Sequence, residues 1–544
     1  MKGNPSNLKV KAAPQKIVTS KPASLASSTY IPKDWRYLFF LSLVFLFSFS
    51  YIFDVKLDLN GDNFGYLNYA KAIADGKGYV SPYSSNFPPT NWFPPGYAAL
   101  LASLMLVFGE KIVLFKVVNG LMYFGAMLLL FDFGKRLTNN KPLAFTIVTL
   151  LFLNSGLMRY ATILMSEIPY LFFSVLAFYM LITMEKKPNF LKNSRFWWLV
   201  LASAAAFYFR SVGLALVAAV ACYFLFEKRW KEAAVYVSGF VLLYLPWAIR
   251  DHVHGLKGRY LDTMTVANAW RPEEGKIDSI SGFLDKMQLN FFDTVIKGFS
   301  EVTFPFIQIE EKAPGTMWVI GLLVLAFVFY GVWKTGKYKI LFGTYILANI
   351  GVFLLWHSGN GSRYVWPLSP FITFCFYLGV FQLLVLLLGK LKVPVKNGVG
   401  YAFLVVAFML FPKMQELNAM AKADYWPAYK NYFEMAKAVK KYGQPTNMVC
   451  CRKAEMFHYF SGTFVTMYEF SLDDKQVIQK MLDNKVDYVI LEQLGYSSTA
   501  RYLYPAIMKH QDMFKVVMQL PNPDTYLLYF DKAAASSFLA LPAK

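Results

Sequence analysis

Mostly apolar runs of about fifteen to twenty-five residues recur near 37–53, 94–108, 112–131, 142–157, 163–184, 196–209, 211–226, 233–249, 317–333, 338–356, 364–388 and 398–411. A hydrocarbon layer of about 30 Å takes roughly 20 helical residues, so the pattern predicts a polytopic α-helical membrane protein. Basic stretches at 132–141, 185–195, 227–232, 334–339 and 390–396 punctuate alternate gaps and predict cytoplasmic loops. The remaining connections, near 158–162, 210, 250–316 and 357–363, then fall outside. The alternation closes only if 94–108 does not cross. That run opens Pro94–Pro95–Gly96, is short for a span, and suits a re-entrant or interfacial helix. About 11–12 transmembrane helices follow, with the N-terminus cytoplasmic and the C-terminus outside.

Residues 1–33 carry six lysines and no acid, and read as a disordered basic cytoplasmic tail rather than a cleavable signal. The membrane domain is expected over 34–411, with a first outer loop at 54–97 and a long outer loop at 250–316. From 412 the pattern changes. Helices near 429–442, 453–460, 474–484 and 499–509 alternate with strands 447–451, 464–470, 487–492, 514–520 and 525–530. The segment 412–544 therefore reads as a soluble, extracytoplasmic α/β domain, without a glycine-rich phosphate loop.

Composition agrees: 56% of the 544 residues are hydrophobic, with 51 Phe, 35 Tyr and 12 Trp. The formal charge of +21 would suit nucleic acid, but the basic residues sit in inter-helix loops, where inside-positive topology explains them. Cys222 and Cys375 lie in apolar runs, and the adjacent Cys450 and Cys451 read as strand residues rather than a redox pair.

The candidate chemistry gathers on the outer side. The first loop carries Asp58 and Asp62, then a short helix on which Asp62, Tyr66, Tyr69 and Ala70 share a face, then the rigid aromatic turn FPPTNWFPPGY with Trp92. Asp62 can serve as a helix N-cap, as a catalytic acid, or as both. Glu167 opens an apolar run in MSEIP, where an ionisable side chain points to function. Arg210 in FYFRSVG and Arg363 in RYVWPLSPF offer forked donors to a phosphate, or snorkel to headgroups. His357, in the same outer connection as Arg363, reads as a base, a donor to phosphate, or a core histidine. Asp251, His252 and His254 in the long loop give no metal site by their spacing. Acids, cations and aromatics facing one outer cavity fit group transfer from an anionic membrane-embedded donor. The alternative is a transporter or flippase of lipid-linked saccharides, against which stands the lack of an inverted repeat.

The order of these pieces resembles the GT-C glycosyltransferases, in the branch of the bacterial aminoarabinose transferase and the protein O-mannosyltransferases. The matching parts are Asp62 through Gly78–Tyr79, PPGY at 94–97, MSEIP at Glu167 and RYVWPLSPF at 363–371, which together cover roughly 35–411. The resemblance implies a GT-C-type membrane domain in a bacterial inner membrane. It implies transfer of a sugar from a polyprenyl-phosphate donor to a glycan, lipid or protein acceptor on the non-cytoplasmic face, with inversion. It makes Asp62 the catalytic base, Glu167 an orienting acid, and Arg363 and Tyr364 contacts to the phosphate or lipid head. Asp58, Tyr66, Trp92, Arg210 and His357 remain substrate-binding candidates on their chemistry. Some members of those families use a divalent cation and others do not, so the cofactor stays open. The sequence has Gly61–Asp62–Asn63 where the mannosyltransferases carry an Asp–Glu pair.

Overall fold

The computed structural model describes residues 34–59, 62–184, 189–258, 263–307, 314–356, 361–394 and 397–540. The apolar runs become helices: α1 Trp35–Ile52, α3 Gly96–Phe108, α4 Ile112–Thr138, α5 Lys141–Phe152, α7 Glu167–Thr183, α8 Ser194–Phe209, α9 Leu214–Phe226 and α10 Trp230–Val253. Four more follow at Pro314–Lys334, Lys339–Leu355, Ser369–Lys390 and Val406–Lys422. Two short helices stand outside this set, α2 Asn63–Ala74 in the first loop and α6 Ser155–Thr162. Among the described residues seven helices are long and apolar enough to cross a membrane, or eight if the bent α5–α6 pair is one span. The expected eleven to twelve thus depend partly on shorter apolar helices, including Glu167–Thr183 and Ser211–Phe226.

One expected helix is broken. The run 142–157 bends by 61° between α5 and α6. Asn154 causes the break: its Oδ1 accepts from Leu157 N at 3.2 Å and caps α6, and its Nδ2 donates to Val302 O at 2.8 Å. Residues 158–162, expected as a bare outer connection, are therefore the helical turns that carry Arg159 and Tyr160. The short segment α3 begins and ends on one side of the bundle. A Cβ on Gly96 would lie 2.6 Å from Tyr208 O near the end of α8, and Glu110, just past α3, accepts from Tyr459 OH of the C-terminal domain at 2.7 Å.

Where spans press closest they do so over glycine. A Cβ on Gly331 would stand 1.7 Å from Cys375 O, and one on Gly379 2.3 Å from Phe327 O, backbone atoms that cannot rotate away. Gly331→Ala must separate helices Pro314–Lys334 and Ser369–Lys390, so a loss of about 1–3 kcal/mol or more is expected. Thermal melting of the purified protein checks this; an unchanged melting temperature would show that the two helices are not held that closely.

The composition change at 412 falls inside helix Val406–Lys422, which carries Pro412. The α/β fold begins with helix Pro427–Tyr442. Its strands are β1 Met448–Cys450, β2 Phe464–Thr466, β3 Tyr488–Leu491, β4 Phe514–Leu520 and β5 Thr525–Phe530, in the sheet order β2-β1-β3-β5-β4. β1 runs parallel to β2 and β3, whereas β5 is antiparallel to β3 and β4. Successive strand residues point to opposite faces, so Val449, Ile490 and Leu527 enter one core and Cys450, Val489 and Leu528 the other. Cys450 ends β1 and Cys451 follows it, both buried. Phe64 of α2 is buried in the first of these cores, which turns that face of the domain toward the first loop.

Candidate active site

The first loop is held from three sides. Lys116 of α4, 1% exposed, donates to Asp54 Oδ1 at 2.8 Å, to Asp54 O at 3.0 Å, and to Lys56 O. Arg250 at the end of α10 donates to Tyr79 O and Thr90 O at 2.7 and 3.0 Å, and its guanidinium lies 4.5 Å from the Trp247 ring centroid. Tyr425 OH, entering the C-terminal domain, donates to Leu57 O at 3.1 Å. A loop tied down this way can present α2 at a fixed height.

Asp62 stands at the N-cap position of α2, yet its carboxylate makes no capping bond. The backbone alone continues the helix, Tyr66 N donating to Asp62 O at 2.9 Å. The carboxylate instead receives Arg363 Nη2 at 2.6 Å. Arg363 sits on the turn Gly361–Tyr364 that leads into helix Ser369–Lys390. Its Nε lies 3.4 Å from Glu167 Oε1, the same oxygen that Arg210 Nη1 reaches at 2.8 Å. Four chain segments thus meet in the sequence Asp62–Arg363–Glu167–Arg210, with acids and bases alternating. Burial grades along it: Glu167 is 1% exposed, Arg210 17%, Arg363 26% and Asp62 35%. The accessible edge is therefore the Asp62–Arg363 pair, and Glu167 is the buried brace that both arginines lean on.

Around this row, Ser166 Oγ is 3.0 Å from Tyr66 OH and 3.3 Å from Arg210 Nη1. Burial pushes the Tyr66 phenol up, and the charge of Asp62 adds to the effect, so it stays protonated. Arg210 lies over the Tyr364 ring at 5.9 Å, and Tyr364 OH accepts from Trp356 Nε1 at 2.9 Å. Asp62, Glu167, Arg210, Arg363, Tyr66 and Tyr364 are brought together. Asp58 pairs instead with Arg159 of α6, at 3.6 Å. Trp92 is 50% exposed, and it is Phe93 whose ring lies against Tyr66, with centroids 4.6 Å apart. His357 lies outside the described residues.

Ser166 and Phe93 lie within MSEIP and the aromatic turn, whereas two contributors of the C-terminal domain, Lys453 and Glu455, carry no mark in the sequence. The last two feel the charge of Asp62. Burial pushes the Glu455 carboxyl above the usual carboxylate range, with Lys453 opposing and Asp62 adding to the rise. Burial likewise pulls the Lys453 ammonium down. No group of three His, Cys, Asp or Glu side chains that could hold a metal ion occurs among the described residues. Asp62 and Glu167 are each already paired with arginine.

No protein-family model matches the chain, and no curated protein matches it in sequence. Solved structures do match in shape. ArnT from Cupriavidus metallidurans bound to undecaprenyl phosphate aligns with a TM-score of 0.58 at 10% identity, over 94% of this chain and 100% of that one. Its apo state gives 0.57 at 13%, over 93% and 99%. The chain shares the fold of these ArnT structures. At such identity the likeness concerns the path of the chain, and the side chains must speak for themselves. On this scaffold the charged row lies at the helix ends that face the α/β domain, since Asn68 of α2 donates from Nδ2 to Glu455 O at 2.8 Å. The long outer loop closes the same side: Arg501 and Tyr502 OH bond Glu273 at 2.7 and 2.8 Å, and Arg452 lies 5.3 Å from the Trp270 ring centroid.

Proposed function

We propose that this protein transfers a sugar from a polyprenyl-phosphate donor to an acceptor on the non-cytoplasmic side of a bacterial inner membrane, with inversion at the anomeric carbon. The observation that carries the reading is the row Asp62–Arg363–Glu167–Arg210, which sets a half-exposed carboxylate beside two arginines held by a buried acid. The acceptor hydroxyl gives its proton to Asp62 as its oxygen bonds to the anomeric carbon. The bond from that carbon to the phosphate oxygen breaks, and both electrons leave on the phosphate, where Arg363 and Arg210 offset the growing charge. Attack opposite the leaving phosphate inverts the centre. Tyr364, beneath Arg210, lies where the lipid head would pass; Tyr66 stays a neutral donor beside it. Trp92 sits at the mouth of the loop, and Asp58 fixes α6 through Arg159.

Two further points support it. ArnT, with the same fold, is known bound to undecaprenyl phosphate. The bundle end opposite the α/β domain carries Lys135 and Lys141 around Asp34, at 2.6 Å each, which suits a cytoplasmic face and an inside N-terminus. Cells lacking the gene are expected to accumulate a polyprenyl-linked sugar and to lose one sugar from a surface glycan, lipid or protein, as read by mass analysis of both pools. Neither pool changing would reject the reading. A missing surface sugar, with purified protein unable to consume the donor in detergent, would favour transport.

A further inference from the structure

Lys453 and Glu455 flank the start of helix Ala454–Ser461 in the α/β domain. That helix packs directly on α2. The Phe64 ring meets those of Tyr459 and Phe460 at centroid distances of 5.3 and 5.8 Å, and Phe64 shares its buried cluster with Met456 and Phe457. The contact is pinned beyond the helix as well: Val465 N donates to Tyr83 O at 3.1 Å, and Lys56 Nζ donates to Ala421 O at 2.7 Å. The domain therefore has a fixed register on the first loop.

Within that contact the Glu455 side chain lies against Gly65. A Cβ added to Gly65 would stand 3.0 Å from Phe93 Cε2 and 3.9 Å from Glu455 Cγ. The bare glycine is what lets a ring and a carboxyl-bearing chain approach this turn together. Gly65 is three residues on from Asp62, and positions i and i+3 are neighbours on one helix face. Asp62 and Glu167 are both tied to arginine. Glu455 forms no ion pair among the described residues, although Lys453 stands two positions away with its ammonium 4.9 Å from the Tyr496 ring centroid.

We propose that the α/β domain completes the site by supplying Glu455 as a second carboxyl group, which binds the acceptor through a hydroxyl next to the one that gives its proton to Asp62. The proposal rests on the glycosyl-transfer reading and deepens it. It assigns the acceptor a chemical class, a compound with neighbouring hydroxyl groups such as a sugar residue, which two carboxyls beside the Phe93 ring suit. In the transfer step the proton goes to Asp62, the new bond joins the acceptor oxygen to the anomeric carbon, the phosphate leaves with its electron pair, and Glu455 is unchanged. Burial and the charge of Asp62 set the Glu455 carboxyl above the ordinary range, while its own neighbours Lys453 and Arg452 oppose the rise.

The test uses full-length protein in cells lacking the native gene. Glu455→Gln, Glu455→Asp and Asp62→Asn are compared for lipid-linked and surface-bound sugar by mass spectrometry. Polyprenyl phosphate is titrated onto the purified proteins and read as a shift in melting temperature. Glu455→Gln is expected to slow transfer about 10- to 100-fold, the worth of one charged hydrogen bond. It should leave the shift caused by polyprenyl phosphate intact, and Glu455→Asp should recover part of the rate. Wild-type transfer by Glu455→Gln, with Asp62→Asn inactive, overturns the proposal and leaves the glycosyl-transfer reading standing. Wild-type protein that changes neither sugar pool would reject that reading and the proposal with it, and wild-type pools in both variants would overturn the proposal. Loss of polyprenyl phosphate binding in step with activity in Glu455→Gln would make Glu455 a strut between the domain and α2, which also overturns the proposal.

Discussion

Asp62→Asn is expected to lower sugar transfer about 10²- to 10⁴-fold, the span of a lost general base, while the protein still folds and inserts. The substitution is close to isosteric, and Asn Oδ1 can still accept from Arg363 Nη2, which now stands 2.6 Å from the carboxylate. Helix α2 loses nothing, because the Asp62 side chain does not cap it. Asp62 is also the most exposed member of the charged row, so removing its charge strands no buried partner: Arg363 keeps Glu167 Oε1 at 3.4 Å. What disappears is proton affinity at the accessible edge. The measurement is consumption of lipid-linked donor by the purified full-length protein, beside its melting temperature and its binding of polyprenyl phosphate. Normal turnover in the Asn variant would remove Asp62 from the chemistry and leave the row as a structural network.

The parts of this site that were legible in the sequence are those that depend on neighbouring residues. Apolar runs mark helices because a spanning segment must bury its backbone and be apolar over its whole length. Asp62, Glu167, Arg210 and Arg363 stand out as ionisable groups at the ends of such runs. Their pairing was not legible. Arg363 is 301 residues from Asp62 and 196 from Glu167, and no local pattern says which arginine serves which acid. Asp58 and Asp62 look alike in the sequence, but Asp62 stands at the N-cap of α2 and pairs with Arg363, whereas Asp58, four residues earlier, pairs with Arg159 on α6. That helix was itself hidden, because Asn154 inside an apolar run reads as a tolerated polar residue until its capping bond is seen. Trp92 is the larger ring, yet its neighbour Phe93 faces Tyr66. Glu455 could not be found at all. It sits in a helix anticipated near 453–460, within a segment that reads as an appended domain, and only the packing of Phe64 against that helix brings it to the first loop.

Glu167→Gln is expected to cost about 3–5 kcal/mol of stability, the usual loss when one partner of a buried ion pair is removed. Glu167 is 1% exposed and its Oε1 serves both Arg210 and Arg363. Without the charge, Arg363 retains Asp62, but Arg210 is left with Ser166 Oγ at 3.3 Å and the Tyr364 ring, neither of which neutralises it. The effect should therefore fall on Arg210. Pairing Glu167→Gln with Arg210→Gln removes the stranded cation, so the double variant should melt well above the temperature that adding the two single losses would give. Activity should behave differently, staying low in the double variant because one of the two arginines proposed to offset the leaving phosphate's charge is gone. Melting curves for the four proteins in one detergent, with donor consumption measured on the same samples, separate the two effects. Additive melting losses would mean that the two residues do not share their charge, and Glu167 would then lose its place as the brace of the row.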